Sequence, residues 1–563
     1  MHSNSRSGLL ALLIVAMTVA AYAPALEAGF VWDDNDYVTH NPLLAAPDGL
    51  ARIWLSMDAP SQYVPMVYTT LRLEYGLWGI DPLGYHLDNI LLHAINALLL
   101  WWLLRRLDFR GAWLAAAIFA LHPVHVESVA WISERKNVLS LLFSLCSALA
   151  WFRYLDHATR RSPSLFLLSL GFYALALTSK ATACTLPAAL LILTWFRGFR
   201  IDRRRILEMT PFVFLGFAMG LLIMFWERFH IGTRGETFSL SFFEALLVAP
   251  RAVWFYLGKL MWPVDLTFSY PRFEIDLGSP NQYIPLVAGV ALLWLLWRNQ
   301  RRIGRAPIAA ALFFVATLGP MLGFIPLFTF WYTFVADHYQ YVASIGPIAL
   351  FAGGLAQVQQ RWAVPRVGLI AASAGLLLVL GSLTSWQCRI YENRETLWRD
   401  TIAKNPQSWM AYTNLGRYLL AEERWKEAAN AYSTALAIRP RNERAHVGIA
   451  DAMVATGRPE IARRHFEAAL ELEPNQPGVH RSLAILAWRR GEGEVAIVHH
   501  RAVIRLVPKS AQANFLLGRG LDQLGRRRDA IQAYQRALVL NPGHRGASRA
   551  LSAHPDHNSE PED

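Results

Sequence analysis

Residues 8–386 are written as repeated apolar runs of about 17–22 residues, the length of helix that crosses a hydrocarbon core. No other property of the chain narrows its fold so far. Inside lipid every backbone N–H and C=O must find a partner within the protein, so runs of this length are helices. They lie near 8–26, 86–104, 112–131, 137–154, 164–179, 183–196, 208–226, 283–297, 308–328, 341–358 and 367–386, about eleven in all at one span per run. Charged residues make up 17% of the chain, against about 25% in ordinary soluble domains. From residue 387 the chain turns polar, charged and rich in alanine. The expected fold is therefore all-α, with a polytopic membrane domain over 1–386 and a soluble helical domain after it.

Loop charges set the expected orientation. Residues 27–84 carry Glu27, Asp33, Asp34, Asp36, Asp48, Asp58, Glu74 and Asp81 against only Arg52 and Arg72, which places this loop outside. Arg105, Arg106 and Arg110 mark an inside connection, as do Arg153, Arg160 and Arg161, the stretch RGFRIDRRR at 197–205, then Arg298, Arg301, Arg302 and Arg305, and finally Arg361 with Arg366. The N-terminus is expected inside and the C-terminal domain outside, in an inner or plasma membrane. Residues 240–262 are apolar but hold Glu244, Pro250, Arg251 and Lys259, and are expected to form an interfacial or re-entrant helix on the outer side. The basic start and AYA at 21–23 fit a signal peptide, yet the apolar run continues to Leu26, so an uncleaved anchor is expected. The net charge of +12 rests largely on the loop arginines, which argues for topology and against nucleic acid as a partner. Cys146, Cys184 and Cys388 are too scattered for a disulfide framework or a zinc site.

The second domain is periodic. Pro406, Pro440, Pro474, Pro508 and Pro542 recur every 34 residues, and Gly416, Ala450, Ala484 and Gly518 keep the same phase, as do Ala428, Ala462, Ala496 and Ala530. A helix–turn–helix unit needs small residues where its helices cross and a breaker at its end, and this pattern resembles the tetratricopeptide repeat. Four repeats are expected, 409–442, 443–476, 477–510 and 511–544, joined to the last span by a helix over 387–408 and followed by a disordered tail over 545–563. Such solenoids present a concave face to a peptide or protein, while the plainer alternative is a spacer or dimerisation device.

The chemistry-bearing residues cluster on the expected outer face. FVWDDNDYV at 30–38 sets Asp33 and Asp34 at the end of the first span. Either carboxylate could serve as general base for an attacking hydroxyl, the alternative being solvated loop acids with an Asx turn at Asp36. His122, His125 and Glu127 could hold a divalent cation, with His122 and Glu127 the candidate ligands, or form a hydrogen-bonded polar cluster, since Pro123 breaks the helix between them. Arg135 and Lys136 follow Glu134 on a side where the positive-inside trend disfavours them, which points to an anion such as a lipid phosphate. Lys180 and His338 are further candidates, and Arg72, Arg251 and Lys259 weaker ones. Tyr339 and Tyr341 fit either an interfacial aromatic belt or a platform for a sugar.

FVWDDNDYV at 30–38, HPVHVESVAWISERKNVLS at 122–140, SKATACTLP at 179–187 and ADHYQYVASIG at 336–346, followed by the 34-residue repeats, together resemble the transmembrane and tetratricopeptide-repeat-containing O-mannosyltransferases and their bacterial relatives, within the GT-C class of membrane glycosyltransferases. The resemblance runs over essentially the whole chain. It implies transfer of a sugar, mannose or another hexose, from a polyprenyl-phosphate-linked donor to an acceptor hydroxyl on the non-cytoplasmic face, the acceptor being a protein or peptide held by the repeats. It implies Asp33 or Asp34 as the catalytic carboxylate, with Arg135, Lys136 and His338 around the donor phosphate; Lys180 joins them as a phosphate candidate by its side of the membrane, and His122, His125, Glu127 and Tyr341 are the candidates for the substrate pocket. A membrane-anchored repeat scaffold without catalysis is the competing class. A transporter is disfavoured, because transport would place ionisable residues at mid-span and these lie at one edge.

Overall fold

The computed structural model describes residues 2–56, 61–156, 162–231, 240–361 and 365–554, with side chains from residue 6 onward except at 230 and 231. Asp58, Arg160, Arg161 and the last part of the expected tail, 555–563, lie outside the described residues. The chain divides into two compact units, Met1–Pro406 and Gln407–Asp563. Every regular element among the described residues is helical.

In the first unit six helices are long and apolar enough to span a membrane: Arg6–Glu27, Pro82–Arg106, Ile132–Asp156, Arg203–Phe229, Pro280–Ile303 and Arg366–Tyr391. The remaining expected spans are built differently. Ala112–Leu121 and Pro123–Ala130 form a pair bent by 56°. Pro123 is the cause, because it offers no N–H and holds the preceding His122 extended at φ −77°, ψ 125°. Pro163–Ser179, Ala181–Phe196 and Ala306–Met321 are shorter apolar helices, and Ile345–Arg361 follows the turn over Asp337–Gln340. Six of the eleven expected spans are thus long apolar helices, and the other five are bent or short. These breaks leave polar motif residues at helix ends, where their side chains can converge. The core surrounds Ile132–Asp156, 78% of whose apolar window is buried, whereas Pro280–Ile303 buries none of its own.

The loop over 27–84, expected outside, folds as a small body of short helices. Gly49–Leu55 and Pro65–Trp78 close over Tyr37, Leu43, Ile53, Val67, Tyr68 and Leu71. Arg72 ties the loop by donating to the carbonyls of Leu43 at 2.7 Å and Leu44 at 2.8 Å. Gly49 sits so close that a Cβ would lie 2.0 Å from the Leu43 oxygen. Phe242–Met261 is one continuous helix, opened by a reciprocal cap between Ser241 and Glu244. Glu244, Arg251 and Lys259 keep it out of the long apolar class.

The second unit is four helix pairs: Trp409–Ala421 with Trp425–Ile438, Glu443–Ala455 with Pro459–Leu472, Pro477–Arg489 with Gly493–Leu506, and Ala511–Gln523 with Arg527–Leu540. The in-phase small residues are where the helices touch. Ala428, Ala450, Ala462, Ala484, Ala496 and Ala530 are fully buried, and a Cβ on Gly518 would lie 2.6 Å from the Tyr534 ring. Where a disordered tail was expected from residue 545, Arg545–Ser552 forms a further helix, capped by His544, whose Nδ1 accepts the Ala547 N–H at 3.1 Å, with Ala547 buried against the last pair. The apolar face of the fourth repeat needs a cover, and this helix supplies it.

Candidate functional site

The site begins at a strained turn. Trp32 has φ +46°, a left-handed conformation that costs a bulky residue about 1–3 kcal/mol. Aromatic packing holds it there: its ring lies 5.0 Å from Trp398, 5.6 Å from Phe268 and 6.3 Å from Tyr332. Residues 389–404 support the same loop through the Gly29 N–H, which donates to Glu392 O at 2.9 Å, and Arg394, which donates to Asn35 Oδ1 at 2.5 Å. The turn gives the two adjacent aspartates different environments. Asp34 is fully buried, its Oδ2 accepting the Val31 N–H at 2.9 Å and its Oδ1 the Ser133 N–H at 2.8 Å. Asp33 is half-buried and accepts the Ser133 hydroxyl at 2.6 Å through Oδ1; its Oδ2 has no hydrogen bond among the described residues. Burial and the neighbouring Asp33 carboxylate push Asp34 up to about 8. Burial also raises Asp33, against the pull of Lys136 and the Ser133 hydroxyl.

Ser133 belongs to the short helix Ile132–Glu134, after which Arg135–Asp156 begins. Consecutive residues on a helix point about 100° apart at 3.6 residues per turn, and here that separates two cations. Lys136 faces the aspartate loop. Its Nζ lies 3.0 Å from Glu134 Oε1 and 4.9 Å from the Tyr37 ring centre. Glu134 turns its other oxygen to Lys180 at 3.0 Å and to the Asn137 amide at 2.7 Å, and Lys180 also reaches Asn137 Oδ1 at 2.8 Å. Lys180 can do this because the backbone is extended there, φ −156°, ψ 125°, between two helices. Asn137 continues the chain of contacts to the carbonyl of His338 at 3.1 Å. His338 in turn donates its backbone N–H to Glu127 Oε2 at 2.8 Å, with its ring Nδ1 3.1 Å from the same oxygen. Two lysines share one carboxylate, so the trio keeps a surplus positive charge suited to an anion.

A largely apolar channel opens beside these groups. Asn137, Lys180 and His338 stand at one end, Leu107, Phe109 and Phe196 at the other. Along Arg135–Asp156 its lining runs from Asn137 to Ala148, about 16 Å of helix at 1.5 Å per residue.

Arg135, expected at a phosphate, faces the other way. It is fully buried, pairs with Glu74, bonds Asn89 and donates to Tyr85 O at 2.9 Å. Its guanidinium holds the loop over 27–84 to the bundle. His122 and His125, expected in the substrate pocket, have both ring nitrogens engaged, His122 with Leu260 O and the Val124 N–H, His125 with Phe119 O and Ser344. That leaves His122 no lone pair for a cation, His338 takes Oε2 of Glu127 and leaves Oε1 without a hydrogen bond, and no group of three metal-ligating side chains converges among the described residues. Tyr341 is buried, its hydroxyl 2.7 Å from His93 Nδ1, and it does not line the channel, whereas Tyr339 does. Arg251 and Lys259 are spent on the backbone carbonyls of Glu274 and of Val264 and Asp265. Ser133 and Asn137 were not singled out from the sequence, nor was Glu134 recognised as the clamp of both lysines. Small polar residues and a boundary acid carry no signal until the fold shows what they face.

A profile for dolichyl-phosphate-mannose-protein mannosyltransferases matches residues 58–226, which include Glu74, Ser133, Glu134, Lys136 and Lys180. Tetratricopeptide-repeat profiles match 419–486 and 511–544. A Caenorhabditis elegans protein O-mannosyl-transferase is 24% identical over 76% of this chain and 62% of its own length. Human protein O-mannosyl-transferase TMTC1 is 26% identical over 76% of this chain and 55% of its own.

The chain is a relative of this O-mannosyl-transferase family.

It is therefore related to the family that the four motifs and the repeats resemble. It spans between 55% and 62% of the length of these two O-mannosyl-transferases. The mannosyltransferase profile begins after Asp33 and Asp34, so the assignment of those two rests on their geometry alone. Among solved structures, the tetratricopeptide-repeat protein YrrB is 17% identical over 35% of this chain and 96% of its own, with a TM-score of 0.26.

Proposed function

We propose that this chain is a multi-pass membrane glycosyltransferase that moves a sugar, mannose by kinship with its relatives, from a polyprenyl-phosphate carrier to an acceptor hydroxyl. One observation carries the reading: Asp33, with one carboxylate oxygen free, lies in the field of Lys136, and the carboxylate that holds Lys136, Glu134, also holds Lys180 at the end of an apolar channel. A donor with a charged phosphate and a long apolar tail has the same division of chemistry. The tail occupies the channel and the phosphate meets Lys180 and Lys136. The acceptor hydroxyl attacks the anomeric carbon as Asp33 takes its proton. The C–O bond to phosphate breaks, and the charge gathering on the leaving phosphate is balanced by the lysines. One displacement gives inversion. Charge counting along the loops supports an orientation with this network and the repeats on the non-cytoplasmic face, where the repeats would present Ser or Thr of a protein acceptor.

The test is transfer from synthetic polyprenyl-phosphate-mannose to a mixed peptide acceptor by the full chain in nanodiscs, read by mass spectrometry. A hexose added to Ser or Thr by the wild type and lost in Asp33→Asn supports the reading. Equal transfer by both would overturn the assignment of Asp33, and no transfer to any acceptor would favour a repeat scaffold.

A further inference from the structure

Two histidine pairs in the repeat array repeat each other. His446 and His465 join the two helices of the second repeat, with Nδ1 to Nδ1 at 3.0 Å, ring centres 5.3 Å apart and planes at 40°. His480 and His499 do the same in the third, at 3.0 Å, 5.3 Å and 41°. Both members are shifted by one 34-residue period. The first and fourth repeats place Tyr412 with Ala431 and Asn514 with Ala533 at these positions, so the pairing belongs to the middle repeats.

We propose that each pair is a binding site for a divalent transition-metal ion, two equivalent sites one repeat apart. His480 supplies the tautomer. Its Nε2 lies 3.1 Å from Pro474 O, and a carbonyl only accepts, so the proton is on Nε2 and the Nδ1 lone pair accepts the His499 Nδ1–H; an ion bound by both Nδ1 atoms replaces that proton, which His499 then carries on Nε2. A ligating imidazole that gives its other N–H to a carbonyl is the usual arrangement of a metal-bound histidine. Metal–imidazole bonds are about 2.0–2.1 Å, so nitrogens 3.0 Å apart subtend an angle of about 94° at the ion, nearer cis positions of a square-planar or octahedral shell than the ~109° of a tetrahedron. Nickel or copper fits that geometry with imidazole donors. All four rings are half-buried, held in place yet open on one side, so water completes each shell.

The full chain, purified in detergent through a tag without histidine, is titrated with NiCl2 by calorimetry. We expect two equivalents in the wild type, one in His465→Gln, one in His499→Gln and none in the double variant, at unchanged circular dichroism. A wild type that binds none, or a double variant that keeps both equivalents, overturns the proposal. Should the double variant fail to fold, electron spin-echo spectra of the copper-loaded wild type decide: two imidazole nitrogens per ion support the sites, and a shell without imidazole overturns them.

Discussion

The hydroxyl of Ser133 donates to Asp33 at 2.6 Å, across a hundred residues of chain. The backbone N–H of the same serine goes to Asp34 at 2.8 Å. One residue thus holds both aspartates, but only Asp33 keeps an oxygen for chemistry.

Asp33→Asn is expected to lower transfer by about 10²–10⁴-fold, the contribution of a general base, with little change in melting. Asp34→Asn is expected to do the reverse. Both Asp34 oxygens accept backbone N–H groups, so an amide must set its own NH2 against one of them, at about 1–3 kcal/mol. Initial rates and thermal melts of the two variants side by side check this. A stable but inactive Asp34→Asn would exchange their roles.

Transfer needs Asp33 ionised, and burial raises its pKa, so the rate should climb with pH through a midpoint above the ordinary aspartate value of about 3.9. The Ser133 hydroxyl favours the charged form, so Ser133→Ala should move that midpoint upward. Rate profiles from pH 4 to 9 for both proteins read the shift, and an unmoved midpoint counts against the coupling.

Asp34 titrates at about 8 when folded, above its unfolded value, so the folded chain binds more protons between the two. Its contribution to stability is full below the unfolded pKa and is lost as pH rises through about 8. Melting temperature should therefore decline with pH towards 8 and level off beyond it, and Asp34→Asn should flatten the decline.

Arg135→Ala leaves Glu74 buried without its partner and should cost about 3–5 kcal/mol, whereas replacing the pair together, Glu74→Leu with Arg135→Met, should restore much of the loss. Lys180→Ala should leave melting nearly unchanged and raise the donor KM at least tenfold. If Arg135→Ala were as stable as the wild type and affected only donor binding, Arg135 would be a phosphate contact after all.

The repeats were legible because their signal is arithmetic: a proline every 34 residues and alanines in phase, each at a helix crossing. Charge and spacing also grouped the stretches around Asp33, Lys136, Lys180 and His338, and in the structure Glu134 joins Lys136 to Lys180 and Asn137 reaches the His338 carbonyl. What spacing cannot carry is direction. Arg135 and Lys136 are adjacent cations, and only the start of the helix at Arg135 decides that one meets Glu74 and the other Glu134. Asp33 and Asp34 are alike as letters, and the left-handed Trp32 separates them. Apolar length also cannot show a bend, because Pro123 breaks the expected span 112–131 without changing its mean hydropathy.

Trp398, Glu392 and Arg394 prop the turn that aims Asp33, yet all three lie beyond the last apolar helix, which ends at Tyr391. On the proposed function, the smallest active fragment is expected to be longer than the stretch that ends with the last apolar helix. A chain cut after Tyr391 would keep its apolar helices and lose the wall behind Asp33, while one cut after Pro406 would shed the repeats and keep it.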